Sequence, residues 1–420
     1  MSHLIYLAAR SAWNRRLTLS LTLIAIALSV ALLLGVDRIR RDARESFAQS
    51  VSGTDLVIGA RTSPVQLMLY SVFRIGEATN NLKWESFQKV AAHPMVAWAV
   101  PLSLGDSHRG YSVVGTSAAY FDHFRYGGAQ ALQFSAGKRF ENVFEAVAGA
   151  EVAERLQYRV GHRITLNHGT GDVSLTEHGD KPFTVVGILA RTGTPVDRSV
   201  HVPLEAIEAI HLDWQGGAPI PGVSIAPEHV AKFDLRPKAI TAALVGLKNR
   251  ASVFRMQRYV NEYPDEPLMG VMPGVALDQL WQVVGMAERV LLAVSAMVVA
   301  VGLAGLVAVV LAGLNERRRE LAILRSVGAR PRDVFLLLMM EAVGMTLVGA
   351  LLGVMLLGVL TASLAPFAAA RYGLIIEPIF IARSELALLA AVVGVGVLAS
   401  LVPGYRAYKL SLADGLTPRL

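Results

Sequence analysis

The chain has 420 residues, 53% of them hydrophobic and 17% charged, with a mean hydropathy of +0.45. Soluble domains of this size are rarely so apolar, so the composition argues for a membrane protein. The net charge of +7 does not argue for nucleic acid, because the excess cations sit beside apolar runs, and the lack of cysteine excludes disulfides and thiolate chemistry.

In chain order, residues 2–16 interleave Leu4, Ile5, Leu7, Ala8 and Trp13 with Arg10, Arg15 and Arg16. Residues 1–16 therefore read as an amphipathic helix at the cytoplasmic interface. Residues 17–36 carry no charge and reach the length of about 20 residues that crosses the hydrocarbon core. The run exceeds the apolar core of a signal peptide and lacks a small-residue cleavage site, so it reads as a retained first span.

Residues 37–289 contain no further spanning run and suffice for two lobes. Residues 37–49 continue the first span's helix outward. Strands are expected at 55–60, 96–104 and 111–116, and a helix at 82–92. From residue 120 the pattern changes. A strand runs into a helix at 147–158, and short strands follow at 163–167, 173–176 and 183–189, punctuated by Gly161, Gly169, Gly171 and Gly179. A helix is expected at 203–212 and a loop at 216–227. The strand–helix alternation of 54–116 then recurs, with a strand at 240–247 and a helix at 251–262. The reading is an α/β lobe built from 37–119 and 236–285, with a β-rich lobe, 120–235, inserted into it. Residues 277–284 lead as a helix into the second span.

The second span is 290–314, roughly 37 Å of helix at 1.5 Å per residue, so it tilts. The third is 334–360, where Gly349 and Gly353 permit close helix approach. A short outer loop, 361–385, precedes the fourth span, 386–402, which Ser384 caps. A basic tail, 403–420, closes the chain. The connection 315–333 holds six arginines against two cations in the 361–385 loop, which puts the connection and both termini in the cytosol. The fold class is a membrane protein with four transmembrane α-helices and a large α+β extracytoplasmic domain.

The connection is the most informative stretch. Arg317, Arg318, Arg319, Arg325, Arg330 and Arg332 crowd it, and Glu316 and Glu320 lie four apart among them. That spacing supports a charged helix continuing the second span. Ala322, Ile323, Leu324 and Val327 give the helix an apolar patch. Gly328 supplies a stop, Pro331 a first-turn residue and Asp333 an acid for the next helix's positive end. The bend reads as a stiff protrusion whose apolar patch is ringed by charge. The plain alternative is a basic anchor that only sets topology.

Glu316-Arg317-Arg318-Arg319-Glu320-Leu321, Arg325, Ser326-Val327-Gly328-Ala329 and Glu341-Ala342 resemble the coupling element of MacB/FtsX-type ABC transporter permeases. The entry at 14–17, the segment 191–202 and the basic tail resemble that family too. The tail departs from it at Ser411-Leu412, where Asp-Pro is common, and at Gly415. The resemblance implies a docking surface for a separate ABC ATPase made by Glu316, Arg317, Arg318, Arg319, Glu320, Ile323, Leu324, Arg325, Val327, Gly328, Ala329 and Arg330. It implies a homodimer of permeases in a bacterial inner membrane, with the large domain periplasmic and a periplasmic adaptor or lipoprotein as a further partner. ATP and magnesium belong to the ATPase, and no cofactor to this chain. The function implied is coupling of ATP hydrolysis to movement of the outer domain, for export or extraction of a hydrophobic, peptide or lipoprotein substrate. The alternative is an FtsX-like regulator of a periplasmic cell-wall hydrolase, which the size of the outer domain disfavours.

Catalytic signatures are missing. No G-x-x-x-x-G-K-[ST] occurs, since Gly137-Lys138 lacks the flanking residues, so no catalytic residue or nucleotide site is expected. Gly222-Val223-Ser224-Ile225-Ala226 lacks the closing glycine of a nucleophile elbow. His162, His168, His178, His201, His211 and His229 match no metal-ligand spacing and read as solvated loop residues, with no metal site. Glu341 is the one acid inside a span. It lies about 12 Å along the helix from Asp333, near the inner headgroups, where Arg15, Arg16 or Arg406 is its expected partner and transmission of motion its functional reading.

Overall fold

The structure, a computed structural model, describes residues 16–169, 179–215, 218–220, 225–316, 318–372 and 382–409. The chain divides into an apolar helical unit and an outer unit built on a mixed sheet. Helix α1 (Arg16–Gln49) comes first. No proline interrupts it, so it runs from the apolar stretch into DRIRRDARESFAQ. Its length, about 51 Å at 1.5 Å per residue, exceeds the roughly 30 Å hydrocarbon core.

The outer unit follows, in three stretches. The first holds β1 (Leu56–Ala60), α2 (Pro64–Ser71), α3 (Trp84–Ala91), β2 (Val96–Ser103), β3 (Asp106–His108), β4 (Tyr111–Thr116) and α4 (Ala119–His123). The second holds β5 (Phe134–Gly137), β6 (Glu145–Ala148), α5 (Ala150–Leu156), β7 (Arg163–Ile164), β8 (Asn167–His168), β9 (Phe183–Leu189), β10 (Ser199–Pro203) and α6 (Leu204–Ile210). The third holds β11 (Ala242–Leu247), α7 (Val253–Asn261) and β12 (Leu268–Val271).

These strands form one 12-stranded sheet in the order β7-β9-β6-β10-β4-β2-β11-β1-β12, with β3 pairing β4 and β8, and β5 pairing β9. Pairs β4/β10 and β6/β9 are parallel. The two-residue period of a strand sorts its side chains between faces. In β1, Leu56 and Ile58 enter a cluster with Phe87 of α3 and Met256 of α7, whereas Val57 enters another with Leu67 and Met68 of α2. A third cluster joins Val113, Val185 and Val200 of the sheet to Val152 of α5 and Ile210 of α6. Strands from 56–116 and 242–271 lie side by side, as β2-β11-β1-β12. They share their sheet with the strands of 120–235, because β4 pairs with β2 on one edge and with β10 on the other.

Helix α8 (Pro273–Glu316) opens with Ala276 and Leu277 in the outer core. In the same unit Arg44 of α1 lies over the Trp281 ring of α8, 5.3 Å from its centroid. Helices α9 (Arg318–Ser326), α10 (Pro331–Tyr372) and α11 (Arg383–Lys409) complete the chain. Four helices among the described residues are long and apolar enough to cross a membrane: α1, α8, α10 and α11. Ile26, Val30 and Leu34 of α1, Leu303, Leu306 and Val310 of α8, and Leu338 and Ala350 of α10 make the helical unit's core.

Several expected boundaries shift. Leu82–Lys83 bridges Ala239–Ile240, so the helix begins at Trp84. The expected strand at 163–167 is two strands, β7 and β8. Residues 361–372 are helical, because the alanine-rich TASLAPFAAARY favours helix despite Pro366. Pro403 lies inside α11. It removes one backbone donor, but Gly404 packs against the Phe335 ring, 2.9 Å from where a Cβ would stand, and the helix continues. The N-terminal helix before Arg16, the 173–176 strand, residues 373–381 of the outer loop and the tail beyond Lys409 lie outside the described residues.

Candidate functional site: the bend and the helix seams

The bend has a fixed inner side and an exposed outer side. Leu321 and Ala322 of α9 are buried, and Leu321 belongs to the same core as Leu314, Val334 and Leu338. Ile323 and Val327, one helical turn apart, are 61% and 83% exposed. The apolar patch expected from the sequence is therefore split: Ala322 faces the spans, and Ile323 and Val327 face outward. Arg330 is exposed, and Arg325 and Ala329 are half-buried. Arg317, and the side chains of Glu316, Arg318, Arg319, Glu320 and Leu324, lie outside the described residues.

Backbone chemistry sharpens the turn. The amides of Val327 and Gly328 donate to the carbonyls of Ile323 and Arg325, at 3.1 Å each. Gly328 has φ of +109°, where an L side chain is strained. Pro331 follows, and the Arg330 amide donates to Asp333 Oδ2 at 2.8 Å while the Asp333 amide donates to the Arg330 carbonyl at 2.8 Å. This reciprocal cap starts α10 abruptly.

Behind the bend, glycines set the helix spacing. A Cβ on Gly349 would lie 2.6 Å from Ile26 Cγ2, and one on Gly353 would lie 2.8 Å from the Ala27 carbonyl oxygen and from Val30 Cβ. The Gly349/Gly353 face of α10 is thus pressed against α1. Gly396 of α11 meets Thr346 of α10 in the same way, at 2.6 Å. Glu341 is half-buried in α10, and Arg15 lies outside the described residues.

A charge network ties α1 to α11. Arg38 donates from Nε and Nη2 to the two carboxylate oxygens of Glu385, at 2.9 and 3.0 Å, and Arg41 adds a third bond at 3.2 Å. Ser384 donates to Asp37 Oδ2 at 2.9 Å, and Arg40 donates to Asp37 Oδ1 at 2.9 Å. Asp37, Arg38 and Glu385 are buried. Sequence reasoning missed this network. Its one legible trace is a charge cluster at the outer end of each of two spans.

The outer unit corrects one expectation. His201 is not a solvated loop residue. It is wholly buried in β10, beside Tyr120 and Phe121. Burial, reinforced by the Arg74 guanidinium, pushes its pKa down to about 3, so the ring is neutral. His162 and His229 are exposed, and His178 lies outside the described residues.

An apolar helical unit, a separate mixed-sheet domain and a capped bend between two spans define a permease-type membrane subunit. The MacB-like periplasmic core domain matches residues 19–252, and the FtsX-like permease C-terminal domain matches residues 292–412. The chain belongs to the MacB/FtsX family of ABC transporter permeases. It is thus an ABC-transporter permease component, of a family that works with an ABC ATPase. Among solved structures it is similar to the periplasmic region of MacB from Actinobacillus actinomycetemcomitans, at 9% identity and a TM-score of 0.34, over 55% of this chain and 94% of that one. It is also similar to the extracellular domain of the noncanonic ABC-type transporter YknZ from Gram-positive bacteria, at 12% identity and a TM-score of 0.31, over 52% of this chain and 99% of that one. Comparison with curated proteins gives no match.

Proposed function

We propose that the bend is the docking surface for the ABC ATPase, and that ATP-driven movement of the bend passes along α8 and α1 to the outer domain. The carrying observation is the two-sided α9, with Leu321 and Ala322 locked into the span core while Ile323 and Val327 stay exposed. A surface held rigidly behind and apolar in front suits a partner that must push as well as bind. In this reading the bend and both termini are cytosolic and the outer domain is periplasmic, as the arginine content of the bend supports. Two such chains and two ATPases make the working unit.

The substrate is a hydrophobic molecule, peptide or lipoprotein handled outside the membrane rather than passed between the spans. In support, buried span hydroxyls bond carbonyls of their own helices. Thr22 donates to Thr18 at 2.9 Å, Ser29 to Ala25 at 2.7 Å, Ser295 to Leu291 at 2.9 Å and Thr346 to Ala342 at 2.9 Å. Hydroxyls so engaged spend their one proton on the backbone and offer no donor to a passing solute. A periplasmic adaptor or lipoprotein carrier completes the assembly.

The test is the double substitution Arg318→Glu with Arg319→Glu. Loss of permease-stimulated ATP hydrolysis, with membrane insertion intact, is expected. Normal stimulation in the inserted double variant would overturn the docking role.

A further inference from the structure

Asp106 and His168 are direct cross-strand partners of β3 and β8, and His211 stands at the C-terminal cap of α6. His168 Nδ1 lies 3.2 Å from Asp106 Oδ1 and 3.3 Å from His211 Nε2, and the three donor atoms all lie within 4.8 Å of one another. Zinc bonds of about 2.0–2.1 Å in a tetrahedron put ligand atoms roughly 3.3 Å apart. Both short contacts therefore already have the spacing of a coordination shell.

Proton counting points the same way. His211 Nδ1 lies 2.7 Å from the Ile207 carbonyl oxygen. A carbonyl only accepts, so Nδ1 carries a proton, and in the neutral ring Nε2 turns its lone pair toward His168. The Asp106 carboxylate also presents lone pairs, and His168 Nδ1 stands between the two. One N–H cannot point along both contacts, whereas one divalent cation would satisfy all three groups. The Ile207 bond is moreover the outer-shell partner that metal-bound histidines keep. Asp106 is 5% exposed and the His168 side chain 44%, giving a buried anionic anchor with an open side. The Trp214 ring borders the cluster, 6.0 Å from His168 and 5.8 Å from His211.

We infer that Asp106, His168 and His211 form a zinc site on the outer domain, with a fourth position open to an exchangeable ligand. Two imidazoles and a carboxylate are a donor set suited to zinc. The ion would tie β3 and β8 to α6 in a chain that has no disulfide. No sequence motif announces it, because the ligands lie 62 and 43 residues apart.

The experiment uses the full-length chain in detergent, freed of any tag and stripped by chelator, and titrated with zinc by calorimetry. About one zinc per chain is expected, weakened at least roughly tenfold by His168→Gln, His211→Gln or Asp106→Asn. Thermal midpoints measured in chelator identify which variants fold. Zinc binding that is absent from the wild type, or unchanged in the folded variants, would overturn the site. If every variant fails to fold, cobalt substitution of the wild type decides. Intense tetrahedral d–d bands support the site, and a weak octahedral spectrum overturns it.

Discussion

Replacing Ile323 and Val327 together with alanine should detach the ATPase while leaving the permease folded. The change removes three carbons from Ile323 and two from Val327, each worth about 0.8 kcal/mol when buried. Before docking the two residues are 61% and 83% exposed, so only that share remains for a partner to cover. Scaled accordingly, the loss is about 3 kcal/mol, or roughly 100-fold in Kd at 1.4 kcal/mol per tenfold. Stability should change by no more than about 0.5 kcal/mol, as for surface positions in general. Leu321→Ala makes the contrast. Leu321 is buried in the span core, so its truncation should cost about 2–5 kcal/mol of stability. The assay is binding of the co-purifying ABC ATPase to the chain in lipid nanodiscs, together with stimulated ATP hydrolysis. A Kd for the double variant within about threefold of wild type, less than roughly 0.7 kcal/mol, would refute a docking role for this face.

Three further outcomes are expected. Arg38→Leu leaves the buried Glu385 carboxylate with Arg41 as its remaining cation, and should lower stability by about 1–3 kcal/mol. Combining it with Glu385→Leu should recover much of that loss in thermal unfolding. Gly353→Val places side-chain carbon against the Ala27 carbonyl oxygen and Val30, and should cost about 1–3 kcal/mol by overpacking, whereas valine at Gly394, with nothing within 4 Å of its Cβ position, should be tolerated in the same melts. The folded pKa of His201, about 3, lies below its unfolded value near 6.5. The unfolded chain therefore takes up a proton first on acidification. Stability is complete above about pH 6.5 and falls toward pH 3 by up to about 1.4 kcal/mol per pH unit. His201→Phe should flatten that slope in hydrogen exchange of the outer domain measured across pH.

Much of the bend was legible in the sequence because its signals are local. Gly328 at a positive φ, Pro331 at a first turn and Asp333 as a cap act within a few residues of one another. The strands at 111–116 and 183–189 were legible as short valine- and aromatic-containing runs bounded by turn residues, and their boundaries coincide with β4 and β9. Other elements were hidden for an equally physical reason. Helix at 361–372 needed the summed propensity of an alanine-rich run to outweigh one proline. The inward-facing Ala322 could not be told from its outward neighbours until α9 had something to rest on.

By itself the sequence determined the number of spans, the charged bend, and the large polar insertion between the first two spans. Run length, charge and turn chemistry are properties of adjacent residues. Tertiary structure alone decided that Arg38 meets Glu385, 347 residues away. It likewise decided that Gly349 and Gly353 face α1, and that Asp106, His168 and His211 share one corner of the outer sheet. Those contacts depend on which distant elements pack together, and no local spacing encodes that choice.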